Sequence, residues 1–199
     1  EADSPEAAAT LPKLRLEDIP KRVETIPTQH KSLASVDILE HDLFTNGIVY
    51  LDLGLDLHTL PQELLPYVPL FGRALLEMGT ESEDFVRLSQ RIGRTTGGIR
   101  PVTYTSAIRD QDQSTAWLFL RGKATTARAD ELLSILQDVL LTVRLDNPER
   151  FRQMLLEEKA DKESMLVPAG HRVVNTRLRA LFHEADWADE QMHGVDSLF

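Results

Sequence analysis

The chain of 199 residues is 42% apolar and 27% charged, a balance suited to one globular core, and its lack of cysteine excludes disulfides and thiolate metal sites. A formal charge of -10, with no basic stripe, argues against a polyanionic partner, since nucleic-acid binding draws on clustered Lys and Arg. The apolar runs are too short to span a bilayer, and no charged-then-apolar leader opens the chain. The first residue is Glu1 rather than a methionine, from which a piece of a longer polypeptide is expected.

Residues 1–30 read as an extended linker and lead-in. Pro5, Pro12, Pro20 and Pro27 each remove a donor and disfavour helix at the preceding residue, and the start is Ala-rich. Residues 31–199 read as a single α+β domain. Val36, Ile38 and Leu43 flank the cluster Glu40, His41, Asp42, and Asn46-Gly47 supplies a turn. Val49, Leu51, Leu53, Leu55 and Leu57 then alternate with Tyr50, Asp52, Gly54 and Asp56, the period of a strand with one buried face. The two strands are expected to pair as a hairpin through Asn46-Gly47.

Beyond Pro61 the spacing predicts a short helix, a break at Pro66 and Pro69, and a second helical run to Met78, with Gly79 as its C-cap. Thr80 and Glu83 have capping-box spacing ahead of a helix whose face is Phe85, Leu88 and Ile92. Thr95 to Gly98 close that helix, and strands over about 99–108 and 116–122 form a second hairpin. Leu132, Leu133, Leu136, Val139, Leu140 and Val143 mark a helix over 130–144 whose apolar stripe lies on the sheet. Asn147-Pro148-Glu149 starts a long helix by cap, first-turn proline and first-turn acid. That helix is interrupted at Pro168-Ala169-Gly170 and resumes towards His183, and a last short helix covers 187–192. Hairpin, helices, hairpin, helices describe an antiparallel sheet with helices packed on one face.

The segments TNGIVYLDLGLDLHTLPQELLPYVPLFGRALLEMGT, TGGI and GHRVVNTRLRALFHEADWADEQMHGVDSL resemble, in order, the third domain of the presequence-protease subgroup of the pitrilysin-like zinc metallopeptidases. The resemblance implies a fold like that of mitochondrial-processing-peptidase domains. It also implies one of four related domains in a chain whose two halves close round an unfolded peptide. The catalytic zinc then sits in the first domain, on an inverted His-x-x-Glu-His motif, and this third domain supplies chamber wall and closure surface. The partners implied are the other domains of the same polypeptide and, in the full-length enzyme, a peptide substrate of the targeting type. Neither nucleic acid nor membrane is expected, and the isolated domain is expected to self-associate through an exposed apolar interface. The compartment implied is soluble and reducing, a bacterial cytoplasm or an organelle matrix or stroma. A scaffold module of the same fold without a peptidase role is the alternative.

None of His30, His41, His58, His171, His183 and His193 stands in the inverted motif. His183-Glu184 begins like the forward zinc motif, but Trp187 stands where the second His belongs. His41 between Glu40 and Asp42 reads as a salt-bridged surface residue. Arg100 and Tyr104, four apart on a strand, share one face and are either sheet decoration or carbonyl-polarising groups, although the resemblance places the latter in the fourth domain. No catalytic, cofactor-binding or metal-ligating residue is therefore expected in this chain, and no cofactor. Gly97-Gly98 is a C-cap turn or a ligand cradle. Leu64, Leu65, Tyr67, Leu70 and Phe71 are a docking surface or core, and Trp117 and Trp187 are packing anchors or substrate platforms. The acid excess suggests a wall that attracts basic peptides.

Overall fold

The computed structural model describes residues 4, 6, 10–12, 14–23 and 25–195 and divides into two units, Glu1–Phe44 and Thr45–Phe199. The Ala-rich start, residues 7–9, lies outside the described residues, as do Pro5 and the last four positions. In the first unit the lead-in contains a 3-10 turn at Leu16–Asp18, closed by the Arg15 backbone N–H donating to Asp18 Oδ2 at 2.8 Å. Strands β1 (Gln29–Leu33) and β2 (Val36–Glu40) then pair antiparallel with Leu33 opposite Val36. Ala34 and Ser35, at φ 48 and 67, form the two-residue turn between them. Positive φ at both central positions matches the twist of the flanking strands, at a steric cost that Asn-Gly would avoid.

The hairpin expected through Asn46-Gly47 is thus corrected: β2 pairs with β1, and β3 (Ile48–Asp56) pairs with β5 (Ser114–Thr125). Asn46 and Gly47, at φ 52 and 76, still make a tight turn, with the Ile48 N–H donating to the Thr45 carbonyl at 3.2 Å. That turn is fixed to the far end of β5, because Thr126 donates to the Gly47 carbonyl from its N–H at 2.9 Å and its hydroxyl at 3.0 Å. β4 (Ile99–Ala107) pairs with the other side of β5, so the sheet order is β3-β5-β4, all antiparallel.

Opposed residues in an antiparallel sheet share a face, which sorts the three strands cleanly. Val49, Leu51, Leu53 and Leu55 lie opposite Ala124, Gly122, Leu120 and Leu118, and Ile99, Pro101 and Thr103 continue the same face on β4. The helices cover it. Among the described residues they are α1 (Val68–Glu77), α2 (Phe85–Thr95), α3 (Ala129–Leu141), α4 (Pro148–Met165), α5 (Gly170–Arg179) and α6 (Glu184–His193). Leu132, Ile135, Leu136 and Val139 of α3, none more than 2% exposed, pack with Leu75, Leu88, Leu120 and Ala124 in one cluster. Each such large side chain contributes roughly 2 kcal/mol by leaving water. A second cluster joins Leu57, Leu65, Val68, Leu118, Ala188 and Met192, with Trp187 packed against it.

Local signals hold at most helix ends. Pro66 falls inside a 3-10 turn (Gln62–Tyr67), and Pro69 occupies the first turn of α1, where its missing N–H costs nothing. The Asn147 side chain caps α4 by accepting the Arg150 N–H at 3.0 Å. The capping box expected from Thr80 and Glu83 is corrected, since Asp84 caps α2 by accepting the Arg87 N–H at 2.8 Å. Thr80 instead closes a turn with Glu83 and pairs with Val143 beside the end of α3. Gly79, at φ 86, permits that turn, as a Cβ there would lie 2.7 Å from the Glu83 carbonyl oxygen. α3 stops at Leu141, short of the predicted end, where the Thr142 hydroxyl bonds back to the Asp138 carbonyl at 2.8 Å.

The largely polar helix α4 is bound to the body at one end. Met154, fully buried, packs with Ala74 and Met78. Beside it Arg73 donates to Glu77 and to Glu157 Oε2 at 2.6 Å, while Arg150 donates to the Glu77 carbonyl at 3.1 Å and carboxylate at 2.9 Å. The Arg150 guanidinium lies 4.6 Å from the centroid of Phe85. Among the described residues no helix is long and apolar enough to cross a membrane.

Candidate functional site

The histidines take structural positions. His183 is the N-cap of α6, Glu184 accepts the Ser114 hydroxyl at 2.7 Å, and Trp187 one turn later packs into the core. His41 is not salt-bridged as expected. Its Nδ1 lies 3.1 Å from the Pro27 carbonyl and 3.2 Å from the Thr28 hydroxyl, while Glu40 pairs with Lys31 across the hairpin. Among the described residues no group of three or more His, Asp or Glu is placed to hold a metal ion.

One constellation escapes sequence reading. His193 Nδ1 lies 2.9 Å from Asp189 Oδ1, and His193 Nε2 lies 3.0 Å from Thr103 Oγ1. The bond from His193 holds Asp189 below the usual carboxylate range against the opposing effect of burial. In the neutral Nδ1–H tautomer the imidazole accepts the Thr103 hydroxyl proton, an order that resembles a nucleophile, base and orienting acid. Its position gives the chain a different role. Thr103 stands on the helix-covered face of β4 opposite Leu118, where α6 packs, so the three residues fasten α6 to the sheet. The spacing of Asp189 and His193, one helical turn apart, is the only local signal for it.

The other face of the sheet is uncovered by these helices and carries the most distinctive surface. From β3 it presents Tyr50, Asp52, Gly54 and Asp56; from β5, Lys123, Arg121, Phe119 and Trp117; from β4, Arg100, Val102 and Tyr104. Trp117 and Phe119 stack with centroids 6.0 Å apart and planes at 23°. They lean over Gly54, where a Cβ would meet Phe119 Cε1 at 2.7 Å and Trp117 Cε3 at 3.1 Å. An aromatic ring laid over a glycine on a neighbouring strand covers backbone that no side chain of its own protects. The Trp117 indole N–H donates to the Thr115 hydroxyl, which fixes the ring plane. Tyr50 and Tyr104 are 62% and 51% exposed, so the aromatic band continues to both edges.

Charge on this face is arranged in one row. Arg121 donates to both oxygens of Asp52, from Nε at 3.0 and 2.9 Å and from Nη2 at 2.7 Å, and this pair raises the Arg121 pKa above its ordinary value. Asp56 is held low chiefly by the His58 backbone N–H at 2.9 Å. Arg100, beside Arg121, and Lys123, two residues along β5, have no hydrogen-bond or ion-pair partner among the described residues. The Lys123 stem lies across Gly97, 2.8 Å from where a Cβ would be. The carboxylate surplus of the whole chain is therefore absent from this face, whose free charges are cationic. Arg100 and Tyr104 share it, as their spacing predicted, next to the rings rather than a metal.

Beyond the Trp117 end, Asp56, His58, Asp112, Thr115 and Glu184 line an open recess. Of the candidate docking stretch, Leu65 is core, whereas Leu64, Tyr67 and Phe71 are 45%, 62% and 41% exposed. The two readings of that stretch thus apply to different residues. Gly97 and Gly98 form the turn into β4, with the Gly97 N–H on the Lys123 carbonyl at 2.7 Å and Gly98 at φ 101.

The sequence profile of the family described as the associated domain of metallopeptidase subfamily 16C matches residues 1–199. The chain is 41% identical over 196 residues to a protein of Arabidopsis thaliana named "Presequence protease 1, chloroplastic/mitochondrial", covering 98% of this chain and 18% of that protein. It is 29% identical over 195 residues to "Protein HypA" of Clostridium perfringens, covering 98% and 20% respectively. It is 27% identical over 194 residues to "Presequence protease, mitochondrial" of Danio rerio, covering 96% and 19%. The chain spans about a fifth of the length of these relatives.

Proposed function

The chain belongs over its whole length to the peptidase-associated family of metallopeptidase subfamily 16C, and from that premise we propose that it is a non-catalytic domain of a zinc metallopeptidase that degrades unstructured peptides of the targeting type. The open face of the β3-β5-β4 sheet is its peptide-facing wall. The observation that carries this reading is the segregation of the molecule: helices occupy one face, while the other presents stacked rings, two further tyrosines and free cations. Such a surface suits an extended chain, since aromatic rings grip side chains of many kinds with little loss of rotamer freedom.

No residue of this chain is assigned to catalysis or to metal. Its donors do not fit the zinc of the full-length enzyme, because the helical position that would pair with His183 is held by Trp187 inside the core. Zinc bound in another domain supplies the Lewis acid that activates water. Leu64, Tyr67 and Phe71, exposed together on α1 and the turn before it, are the surface proposed to meet the other domains and to drive self-association when the chain is alone. The compartment proposed is a bacterial cytoplasm or an organelle matrix or stroma.

The test is a comparison of this chain with the full polypeptide that contains it. The chain alone is expected to bind less than stoichiometric zinc and to leave an unstructured peptide intact, while the full polypeptide binds zinc and cleaves the peptide. Cleavage by the chain alone, or a full polypeptide without zinc-dependent cleavage, overturns the reading.

A further inference from the structure

Although the chain carries 32 acidic against 22 basic side chains, the open sheet face leaves only cations unpaired. Asp52 is occupied by Arg121, and Asp56 is held by His58, so neither is left to attract a basic ligand. Arg100 and Lys123 flank Arg121 on the same face, one across the strands and one along them. Two residues further along the strands, Phe119 and Val102 begin the apolar band that Trp117 and Tyr104 complete. A side chain and its neighbour two residues on project from the same side of an extended peptide, about 7 Å apart. That is also the separation between the cationic row and the apolar row of the sheet.

We infer that this face binds an extended peptide segment in which an Asp or Glu stands two residues from an aromatic or large aliphatic side chain. The carboxylate meets Arg100 and Lys123, and the apolar side chain lies on the Phe119 and Trp117 rings. The inference rests on the peptide-wall reading above and reverses the charge preference that overall composition suggests. A basic targeting peptide is then held at this wall through its sparse acidic and apolar positions, while its own cations find no free carboxylate on this face.

The probe is a fluorescein-labelled peptide Gly-Ser-Glu-Gly-Phe-Gly-Ser and its counterpart with Lys for Glu. Binding is read by anisotropy on the full polypeptide, with a chelator present so that neither is cut. The Glu peptide is expected to bind about fivefold more tightly, the ratio that exposed charge pairs give. Arg100→Glu should abolish or invert that ratio, with Arg100→Gln as the milder variant, and Trp117→Ala should weaken both peptides. Equal binding of the two peptides, or a ratio unchanged in Arg100→Glu, overturns the inference. If the peptides bind equally but Trp117→Ala weakens both, the wall reading survives it. If Trp117→Ala and Tyr104→Ala leave both peptides unaffected, or neither peptide binds, the wall reading falls as well.

Discussion

Replacing Gly54 by alanine tests how the sheet builds its aromatic surface. The added methyl would lie 2.7 Å from Phe119 Cε1 and 3.1 Å from Trp117 Cε3, both well inside normal carbon contact. One or both rings must move. Overpacking of this kind costs about 1–3 kcal/mol, and the low end applies because the rings border solvent and can tilt outward. Against this, alanine in a strand interior gains about 0.5–1 kcal/mol over glycine through backbone entropy. The net expectation for Gly54→Ala is a loss of about 0.5–1 kcal/mol by urea unfolding, with a shift in the emission of Trp117. The decisive assay is a double-mutant cycle. In a Phe119→Ala background the nearest obstacle is gone, so Gly54→Ala should become neutral or stabilising. Equal destabilisation in both backgrounds would show that the rings are not why glycine stands there.

Three further outcomes follow from the way the helices are attached. Glu77→Gln removes the carboxylate shared by Arg73 and Arg150 and should cost about 1–2 kcal/mol in urea unfolding, between the values for exposed pairs and buried charged hydrogen bonds, with amide exchange quickening first in α4. Met154→Ala, at the only fully buried position among the described residues of α4, should cost about 3 kcal/mol by the same measurement. Asp189 has its folded pKa depressed by His193, so its contribution is present above the unfolded carboxylate pKa and is lost as pH falls through the folded one. The stability gap between the parent and Asp189→Asn should therefore narrow on acidification below about pH 4, and a gap that stays constant would show that the bond contributes nothing.

What is legible in the sequence is what local periodicity encodes. The alternation over Val49 to Leu57 places β3, and the three-and-four spacing from Leu132 places α3 and its buried stripe. Asn147-Pro148 marks the start of α4 to the residue. Pairing is another matter. Asn46-Gly47 is the stronger hairpin signal, yet the close hairpin turns at Ala34-Ser35, and β3 finds its partner far along the chain, where only the assembled core fixes register. The misassigned cap has a similar origin: Thr80 and Asp84 both suit an N-cap, and the pairing of Thr80 with Val143 decides between them. The candidate surface is half legible. Alternation puts Arg100 and Tyr104 on one face, but the rings across from them, the glycine beneath and the capture of Arg121 by Asp52 depend on cross-strand register. Charge placement is the least legible property, because a surplus of carboxylates over the whole chain says nothing about which face carries them.

Whether the open sheet face is the peptide-facing wall can be decided by site-specific photocrosslinking. A benzoylphenylalanine placed at Tyr104, on the open face, and another at Leu133, 53% exposed on the helical side, are compared in the chelated full polypeptide with an unstructured peptide. Peptide adducts are expected from position 104 and none from position 133. Adducts from position 133 alone, or from neither, would contradict the assignment of this face as the wall.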